Sequence, residues 1–330
     1  MKNSCKKLVL ALTAGAAFVS TVVSAQSGGS YPARPVRLLI PFVAGGSTDF
    51  VARVLQTRMT EDLGQSIVID NRPGASGNIA VEMAANAPAD GHTALFANLG
   101  TITINPVLFR DFPVDTVRDL QCVSIVADVS ALLAINSSVP ANNFEEFARY
   151  ARGRPGQLNF ASSGAGSNSR LTMTFIMNKS GLDLGHIAYK GAAAMVSAML
   201  SNETQVGITA TPTTIPHLKS GRLKALALLG PSRTPSLPSV PTMSEIGFSE
   251  LTISSWQGIY LPAKTPAPVV KKLRGAVIKA MSDPKVAEAL KTGGAGPMEP
   301  ALLSECNVFT RQQVAFWADL VRKIGLAGKQ

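Results

Sequence analysis

Side chains that commonly carry chemistry are scarce in this sequence of 330 residues. The three histidines, His92, His186 and His217, stand far apart and lack the spacing typical of metal ligands. The chain contains neither a G-x-S-x-G nucleophile elbow nor a G-x-x-x-x-G-K-S/T phosphate loop, and no acidic pair is placed for acid–base work. We therefore predict that the protein is not an enzyme and uses no metal or other cofactor.

Charge is also sparse. Charged residues make up 16% of the chain, and the 31 Lys and Arg exceed the 21 Asp and Glu to give a net charge of +10. This excess favours anionic ligands in a general way, but it is not gathered into runs. An ordinary basic surface explains it equally well, and we do not expect nucleic acid binding.

Long apolar runs are missing except at the N-terminus. Three lysines precede the apolar residues 8–23, and a small-residue V-S-A sequence ends at Ala25. This pattern predicts a secretory signal peptide over residues 1–25. Cys5 precedes the apolar run, so it is not placed as a lipid-anchor cysteine. No later stretch is long and apolar enough to span a bilayer, so we expect an exported protein.

Two cysteines, Cys122 and Cys306, remain after the predicted cleavage. In an exported protein they could form a disulfide. Both also lie in apolar surroundings, where buried free thiols fit equally well. The sequence leaves their pairing open.

Strand-like and helix-like segments alternate along most of the chain. The pattern predicts strands at 36–42, 66–70 and 93–97, separated by helices at 51–63 and 77–86. This βαβ rhythm indicates a largely parallel sheet with helices on its faces.

A long β-rich stretch at 121–136 follows, and then the rhythm restarts. An N-x-x-E sequence that begins at Asn143 resembles a capping box. The remaining predicted elements are helices at 143–152, 170–179 and 192–200, strands at 158–161, 187–189, 206–209 and 223–229, an extended stretch at 254–262, and helices at 269–281 and 302–324.

Two α/β units joined by two extended crossovers predict a two-lobed α/β fold. The first lobe comprises residues 26–125 and 252–330, so the C-terminus completes it, and the second lobe comprises residues 126–251. A cleft between two lobes is a common place for a ligand.

The sequence A-G-G-S-T-D at residues 44–49 stands where a strand ends and a helix begins. The first turn of a helix has unpaired N–H groups and the positive end of the dipole, and glycines let an anion approach this backbone. Ser47 and Thr48 add hydroxyl donors, whereas Asp49 would repel an anion, so we assign it to capping. A tight turn without a ligand would look the same.

The second predicted lobe repeats this arrangement in N-F-A-S-S-G-A-G-S-N-S-R-L, residues 159–171. It is not a dinucleotide fingerprint, because Ser169 stands where a third glycine is required. Its small residues and donors are Ser162, Ser163, Gly164, Gly166, Ser167 and Asn168. Two such loops that face each other across a cleft predict an anion clamp made of backbone amides and hydroxyls.

Several motifs occur in an order and spacing that resemble one family. They are YPARPVRLLIPFVAGGSTDFVARVL, VIDNRPGASGNIA, APADGHTALFA, SSGAGS, AYKGAA, IPHLKSGRLKALAL and YLPAKTPAPVVKKL. The chain is similar to the substrate-binding proteins of tripartite tricarboxylate transporters, also called the Bug family. The resemblance implies a periplasmic, Venus-flytrap protein that delivers a small carboxylated solute to the membrane permease subunits of such a transporter. It also implies that the two loops hold the ligand carboxylate.

Three positions depart from the family pattern. Arg170 replaces a common histidine, and Gln205 and Thr209 stand where members commonly carry acids. The absence of these acids, with Arg170 as a charge-assisted donor, favours a dianionic ligand over an amino acid. The ligand-binding residues that we predict are Phe42, Ala44, Gly45, Gly46, Ser47, Thr48, Asp49, Ser162, Ser163, Gly164, Gly166, Ser167, Asn168, Arg170, Tyr189 and Thr209.

Two other functions stay open at this stage. A sensory protein that presents its closed form to a histidine kinase would carry the same site. An exported hydrolase would turn over carboxylic esters. For the transport function we expect a monomer.

Overall fold

The computed structural model describes residues 31–164, 167–230, 232–251, 255–298, 305–323 and 325–328. The predicted signal peptide and Gly166 lie outside these residues, as do residues 302–304 and 324 of the last predicted helix. In the described part of the chain, no helix is both long enough and apolar enough to cross a membrane.

The strands and helices follow the predicted alternation closely. The strands are β1 (Val36–Ile40), β2 (Ile67–Asn71), β3 (Thr93–Asn98), β4 (Leu120–Val129), β5 (Ala131–Asn136), β6 (Asn159–Ser162), β7 (Gly185–Ala188), β8 (Val206–Ala210), β9 (Leu223–Leu228), β10 (Trp256–Pro262) and β11 (Ala295–Pro297). The helices are α1 (Ser47–Leu63), α2 (Asn78–Ala85), α3 (Asn105–Leu108), α4 (Phe144–Arg152), α5 (Asn168–Ser180), α6 (Ala192–Leu200), α7 (Thr211–Lys219), α8 (Ala267–Met281), α9 (Pro284–Thr292) and α10 (Cys306–Lys323). A 3-10 turn at Ala75–Gly77 and a π turn at Gly100–Ile104 precede α2 and α3.

The strands form two sheets of the same design. The first has the order β11-β4-β10-β3-β1-β2 and the second the order β7-β6-β8-β5-β9. Strands β1 and β6, each next to an edge strand of its sheet, pair in parallel with both neighbours. However, β10 is antiparallel to β3 and β4, and β5 is antiparallel to β8 and β9.

The prediction of a largely parallel sheet is therefore wrong for these two strands. Each of these strands belongs to a predicted crossover, so the strand before it in the chain lies in the other sheet. Neither strand is therefore the second strand of a βαβ unit, which is the connection that makes neighbouring strands parallel. The predicted extended crossovers are confirmed. The chain changes sheet at Ser130, which is the single residue between β4 and β5.

The helix α1 shows how the sequence pattern builds the first core. Its predicted apolar face, including Val51, Leu55 and Met59, is buried against apolar residues of α8. The helix ends at Gly64, which adopts a left-handed conformation (φ 67°) and donates its N–H to the Thr60 carbonyl. This packing places the first turn of α1 at the carboxyl end of β1.

The predicted capping sequence at Asn143 is confirmed in α4. Asn143 Oδ1 accepts the Glu146 N–H at 2.9 Å, and Glu146 Oε2 accepts the Asn142 N–H at 2.7 Å. In a capping box the second of these bonds goes to the N-cap residue itself, whereas here Glu146 reaches the residue before it. The cap fixes where the second lobe's first helix begins.

The structure pairs Cys122 with Cys306, so the question that the sequence left open is answered. Their Cα atoms are 5.8 Å apart, and both residues are buried. Asn307 Oδ1 also accepts the Cys122 N–H at 2.8 Å. The bond therefore fixes the start of α10 to β4 of the first sheet.

Candidate functional site

A cavity of about 90 Å³ lies where strands of both sheets end. Its walls come from segments that follow β1, β2 and β3 in the first sheet and β6, β7 and β8 in the second, as expected for a ligand site at the carboxyl ends of strands. The lining residues are Phe42, Gly46, Ser47, Thr48, Ser76, Asn98, Leu99, Gly100, Thr101, Asn105, Ala131, Ser163, Ser167, Asn168, Ser169, Ala192, Met195, Ile208, Thr209, Ala210 and Ser255.

The first predicted loop reaches this cavity through the start of α1. Gly46 is the N-cap, and no side chain accepts a capping hydrogen bond there. Gly46, Ser47 and Thr48 all line the cavity. Because these three residues stand at the start of the helix, their N–H groups have no acceptor within the helix. Gln257 Nε2 donates to Ser47 Oγ at 3.4 Å, which leaves the Ser47 hydroxyl hydrogen available to a ligand.

Asp49, which the sequence analysis assigned to capping, accepts the N–H of Gly45, one residue before the N-cap of α1, and does not line the cavity. Its Oδ2 accepts the Gly45 N–H at 3.0 Å and the Arg53 Nε–H at 2.8 Å. Asn71 Nδ2 donates both to Asp49 Oδ1, at 3.1 Å, and to the Phe42 carbonyl, at 2.9 Å. This network holds the loop on the side away from the cavity, and the first turn of α1 lines the cavity.

Burial raises the pKa of Asp49, but the hydrogen bonds from Arg53, Gly45 and Asn71 outweigh this effect and hold the pKa below its usual value. The ionised carboxylate therefore stabilises the fold at neutral pH. Because its pKa in the folded protein is the lower one, this contribution is complete above the unfolded pKa, near 3.9, and is lost as the pH falls through the folded pKa.

Asp49→Asn is expected to lower the free energy of unfolding by about 2 kcal/mol at pH 7, because the substitution replaces charged acceptors by a neutral amide. Urea unfolding at pH 7 and pH 3 measures this loss, and the difference from the unsubstituted protein should shrink at pH 3. Glu61→Gln, an exposed acid near the other end of the same helix, is the matched control. An equal loss at both pH values would contradict the assignment.

The second loop brings a group of hydroxyls to the cavity. Ser167 caps α5: its Oγ accepts the Arg170 N–H at 3.3 Å and donates to the Gly164 carbonyl at 2.7 Å. Ser169 Oγ lies 2.8 Å from Ser167 Oγ and accepts the Ser163 N–H at 3.1 Å. The predicted Ser163, Ser167 and Asn168 thus line the cavity, and Ser169 joins them.

The structure does not bring every predicted residue to the cavity. Those that line it are Phe42, Gly46, Ser47, Thr48, Ser163, Ser167, Asn168 and Thr209. Those that are described but do not line it are Ala44, Gly45, Asp49, Ser162, Gly164, Arg170 and Tyr189. Gly166 lies outside the described residues.

The reasons differ among the residues that do not line the cavity. Ala44 and Gly45 are exposed, and Ser162 is buried behind the loop, with its Oγ 2.8 Å from His186 Nε2. Burial lowers the pKa of His186, and the positive charge of Arg170 lowers it further; Arg170 itself is not a lining residue.

Tyr189 does not line the cavity either. It packs with buried residues of α6, and burial, together with the Glu203 carboxylate, raises the pKa of its phenol to about 12. Thr209 does line the cavity and accepts a hydrogen bond from Thr214 Oγ1 at 2.6 Å. Gln205, in contrast, accepts the Asn159 N–H at 2.9 Å and is not a lining residue.

Two segments of the first sheet supply lining residues that the sequence reasoning missed. Ser76 belongs to the turn after β2, Asn98 is the last residue of β3, and Thr101 and Asn105 follow this strand. Asn98 Oδ1 accepts the Thr101 N–H at 3.1 Å, and Thr101 Oγ1 donates to the Asn98 carbonyl at 3.0 Å. The signal was present, because these small and polar residues follow parallel strands just as the first loop does.

None of the described residues that line the cavity is charged. Four helices, α1, α5, α6 and α7, begin at its wall through Ser47, Asn168, Ala192 and the N-cap Ala210. Each helix N-terminus carries roughly half a positive charge. The cavity is therefore suited to an anion and offers no acid that could pair with an ammonium group. Across the described chain, no group of three His, Cys, Asp or Glu residues is placed to hold a metal ion.

The chain is similar to known proteins over most of its length. A family model described as tripartite tricarboxylate transporter family receptor matches residues 51–326. The structure of the periplasmic binding protein BugD is 33% identical, with a TM-score of 0.86 over 90% of this chain and 99% of BugD.

Two further similar structures are described with ligands. Rpa4515 from R. palustris, with adipate, is 31% identical, with a TM-score of 0.85 over 90% of this chain and 99% of that protein. MatC from Rhodopseudomonas palustris, with bound malate, is 29% identical, with a TM-score of 0.84 over 88% of this chain and 100% of MatC.

The family match spans most of the chain, and the similar structures share its two-sheet architecture over nearly their whole length. The two-lobed periplasmic-binding-protein fold expected from the sequence is thereby confirmed. The chain belongs to the tripartite tricarboxylate transporter receptor family, whose members are substrate-binding receptors of transport systems and not enzymes.

Proposed function

We propose that this receptor captures a small dicarboxylate in the cavity between its two sheets and delivers it to the permease subunits of a tripartite tricarboxylate transporter. The observation that carries the proposal is that α1 and α5, one from each sheet, begin at the same uncharged cavity. The ligand contacts that we propose are Gly46, Ser47, Thr48, Ser163, Ser167, Asn168 and Thr209.

The balance of charge supports a dianion. Four helix N-termini of roughly half a charge each supply about two positive charges, which match two carboxylates. Phe42, Met195 and Ile208 provide apolar walls for a short carbon chain. The ligands of Rpa4515 and MatC, adipate and malate, are dicarboxylates as well. The preference for a dianion therefore does not depend on Arg170, which does not line the cavity.

The proposed cycle is a change of conformation without chemistry. In the open form the carboxylate binds to one lobe, and closure about the two crossovers brings the second loop onto the same ligand. The ligand favours closure only through the contacts that it gains in the closed form. We place this cycle in the periplasm, with residues 1–25 removed, the lobes divided near residues 125 and 252, and the protein acting as a monomer.

A thermal-shift screen tests the proposal. Succinate, malate and adipate are expected to raise the melting temperature by about 5 °C at a hundredfold excess over Kd, since a ligand that binds only the folded form stabilises it. Succinamide, which lacks the charges, and aspartate, which adds an ammonium group, are the matched control ligands. If aspartate stabilised the protein as strongly as succinate, the selectivity argued from the cavity would be wrong.

Delivery to a permease needs a separate test, because a sensory receptor would bind the same solute. Membrane vesicles that contain the permease subunits should accumulate labelled dicarboxylate only when the purified receptor is added. Uptake that is independent of the receptor would contradict the transport function and leave carboxylate binding intact.

A further inference from the structure

The turn at Ala75–Gly77 has an unusual backbone. Ala75 and Ser76 both have positive φ angles, 44° and 56°, although neither is a glycine. Residues other than glycine rarely adopt this left-handed backbone conformation, and they keep it only where their surroundings hold them in place. The turn lies after β2 of the first sheet, and Ser76 lines the cavity.

Neighbouring segments hold the turn tightly. Asn105 Nδ2 donates to the Ser76 carbonyl at 3.0 Å and also to Asn78 Oδ1, and Asn105 and Asn78 are buried. Gly77, with a φ of 96°, packs so closely on the π turn that an added Cβ would lie 2.7 Å from Thr101 Cγ2. The position of Ser76 is therefore fixed by side chains of the segment that follows β3.

Ser76 meets the second loop at Gly164. A Cβ added to Gly164 would lie 2.9 Å from Ser76 Oγ, so Ser76 fills the space next to this glycine. Gly164 belongs to the segment after β6 of the second sheet, next to Ser163, which lines the cavity. The contact thus joins the two halves of the site beside the cavity.

We infer that Ser76 is a specificity-determining residue, which by its contact with Gly164 limits the length of ligand around which the two halves can close. This inference rests on the proposed function. A side chain larger than serine at position 76 separates the two loops, and a smaller one leaves room for a longer ligand. Ser76 acts through its size and its fixed position, and no charge is involved.

Two substitutions change the size of this side chain in opposite directions. Asn is tolerated in the left-handed region and Gly is favoured there, so Ser76→Asn and Ser76→Gly keep the backbone of the turn. Ala75 has the same kind of backbone but is exposed and does not line the cavity. Ala75→Asn and Ala75→Gly are therefore matched controls for the effect on the turn itself.

Calorimetry with succinate and adipate, straight-chain dicarboxylates of four and six carbons, provides the test. Ser76→Asn is expected to weaken binding of both acids at least tenfold relative to Ala75→Asn. Ser76→Gly is expected to shift the ratio of the two dissociation constants at least threefold in favour of adipate relative to Ala75→Gly. Thermal unfolding without ligand confirms that all four variants are folded.

Two results would overturn different claims. If Ser76→Asn bound both acids within twofold of Ala75→Asn, and Ser76→Gly left the ratio unchanged, Ser76 would not determine specificity. If the unsubstituted protein bound neither acid, the proposed function would fail first and this inference with it.

Discussion

Gly46→Val is expected to weaken dicarboxylate binding at least a hundredfold and to leave the fold intact. Gly46 lines the cavity as the N-cap of α1, with a φ of −78° that any residue adopts. The nearest atom to an added Cβ is the Val43 carbonyl oxygen, at 3.6 Å. An added Cβ therefore makes only an ordinary van der Waals contact with the protein, and the valine side chain would extend from the cavity wall into the position that a carboxylate needs.

Calorimetry of the variant with succinate measures the loss of affinity, which corresponds to about 2.7 kcal/mol for a hundredfold change. The free energy of unfolding should change by less than about 1 kcal/mol, as is usual away from packed or strained positions. Gly275→Val, in α8 and away from the cavity lining, is the control. Tight binding retained in Gly46→Val would show that this loop does not contact the ligand.

Removal of the disulfide is expected to have the largest effect on stability. The bond joins residues 184 positions apart, and closing a loop of this length in the unfolded chain corresponds to about 5 kcal/mol. Cys122→Ala/Cys306→Ala removes both sulfur atoms and leaves no reactive thiol. Because neither residue lines the cavity, the affinity for succinate at 25 °C should stay within threefold of that of the unsubstituted protein.

Urea unfolding of the double variant, compared with the reduced unsubstituted protein, separates loss of the bond from loss of packing. Both should be destabilised to a similar degree, with the alanine variant slightly more affected because it lacks two buried sulfur atoms. A loss below about 1 kcal/mol in both samples would show that the unfolded chain is already restricted without the bond.

Local signals in the sequence were sufficient for the first part of the site. A buried strand, two glycines and a helix start predicted where Gly46, Ser47 and Thr48 lie, because each feature depends on neighbouring residues. The same holds for Asp49, since an acid in the first turn of a helix is typical of a cap. The structure adds the partner Asn71, 22 residues away from Asp49.

Features that depend on distant contacts were not predictable in this way. Ser76 enters the site because Asn105, 29 residues further along the chain, holds its carbonyl. The placement of Arg170 and Tyr189 depends on which way a side chain points from a helix start or a strand end, and the motif does not contain this information. The reversed direction of β5 and β10 likewise depends on which sheet a crossover joins.

The covalent link between Cys122 and Cys306 has a consequence for proteolysis. Every strand of the second sheet, from β5 to β9, lies in the chain between these two residues. A protease that cuts the backbone once within this span therefore leaves two fragments that stay tethered until the bond is reduced. Nicked receptor should run as an intact band on a non-reducing gel and separate into two bands after a thiol is added.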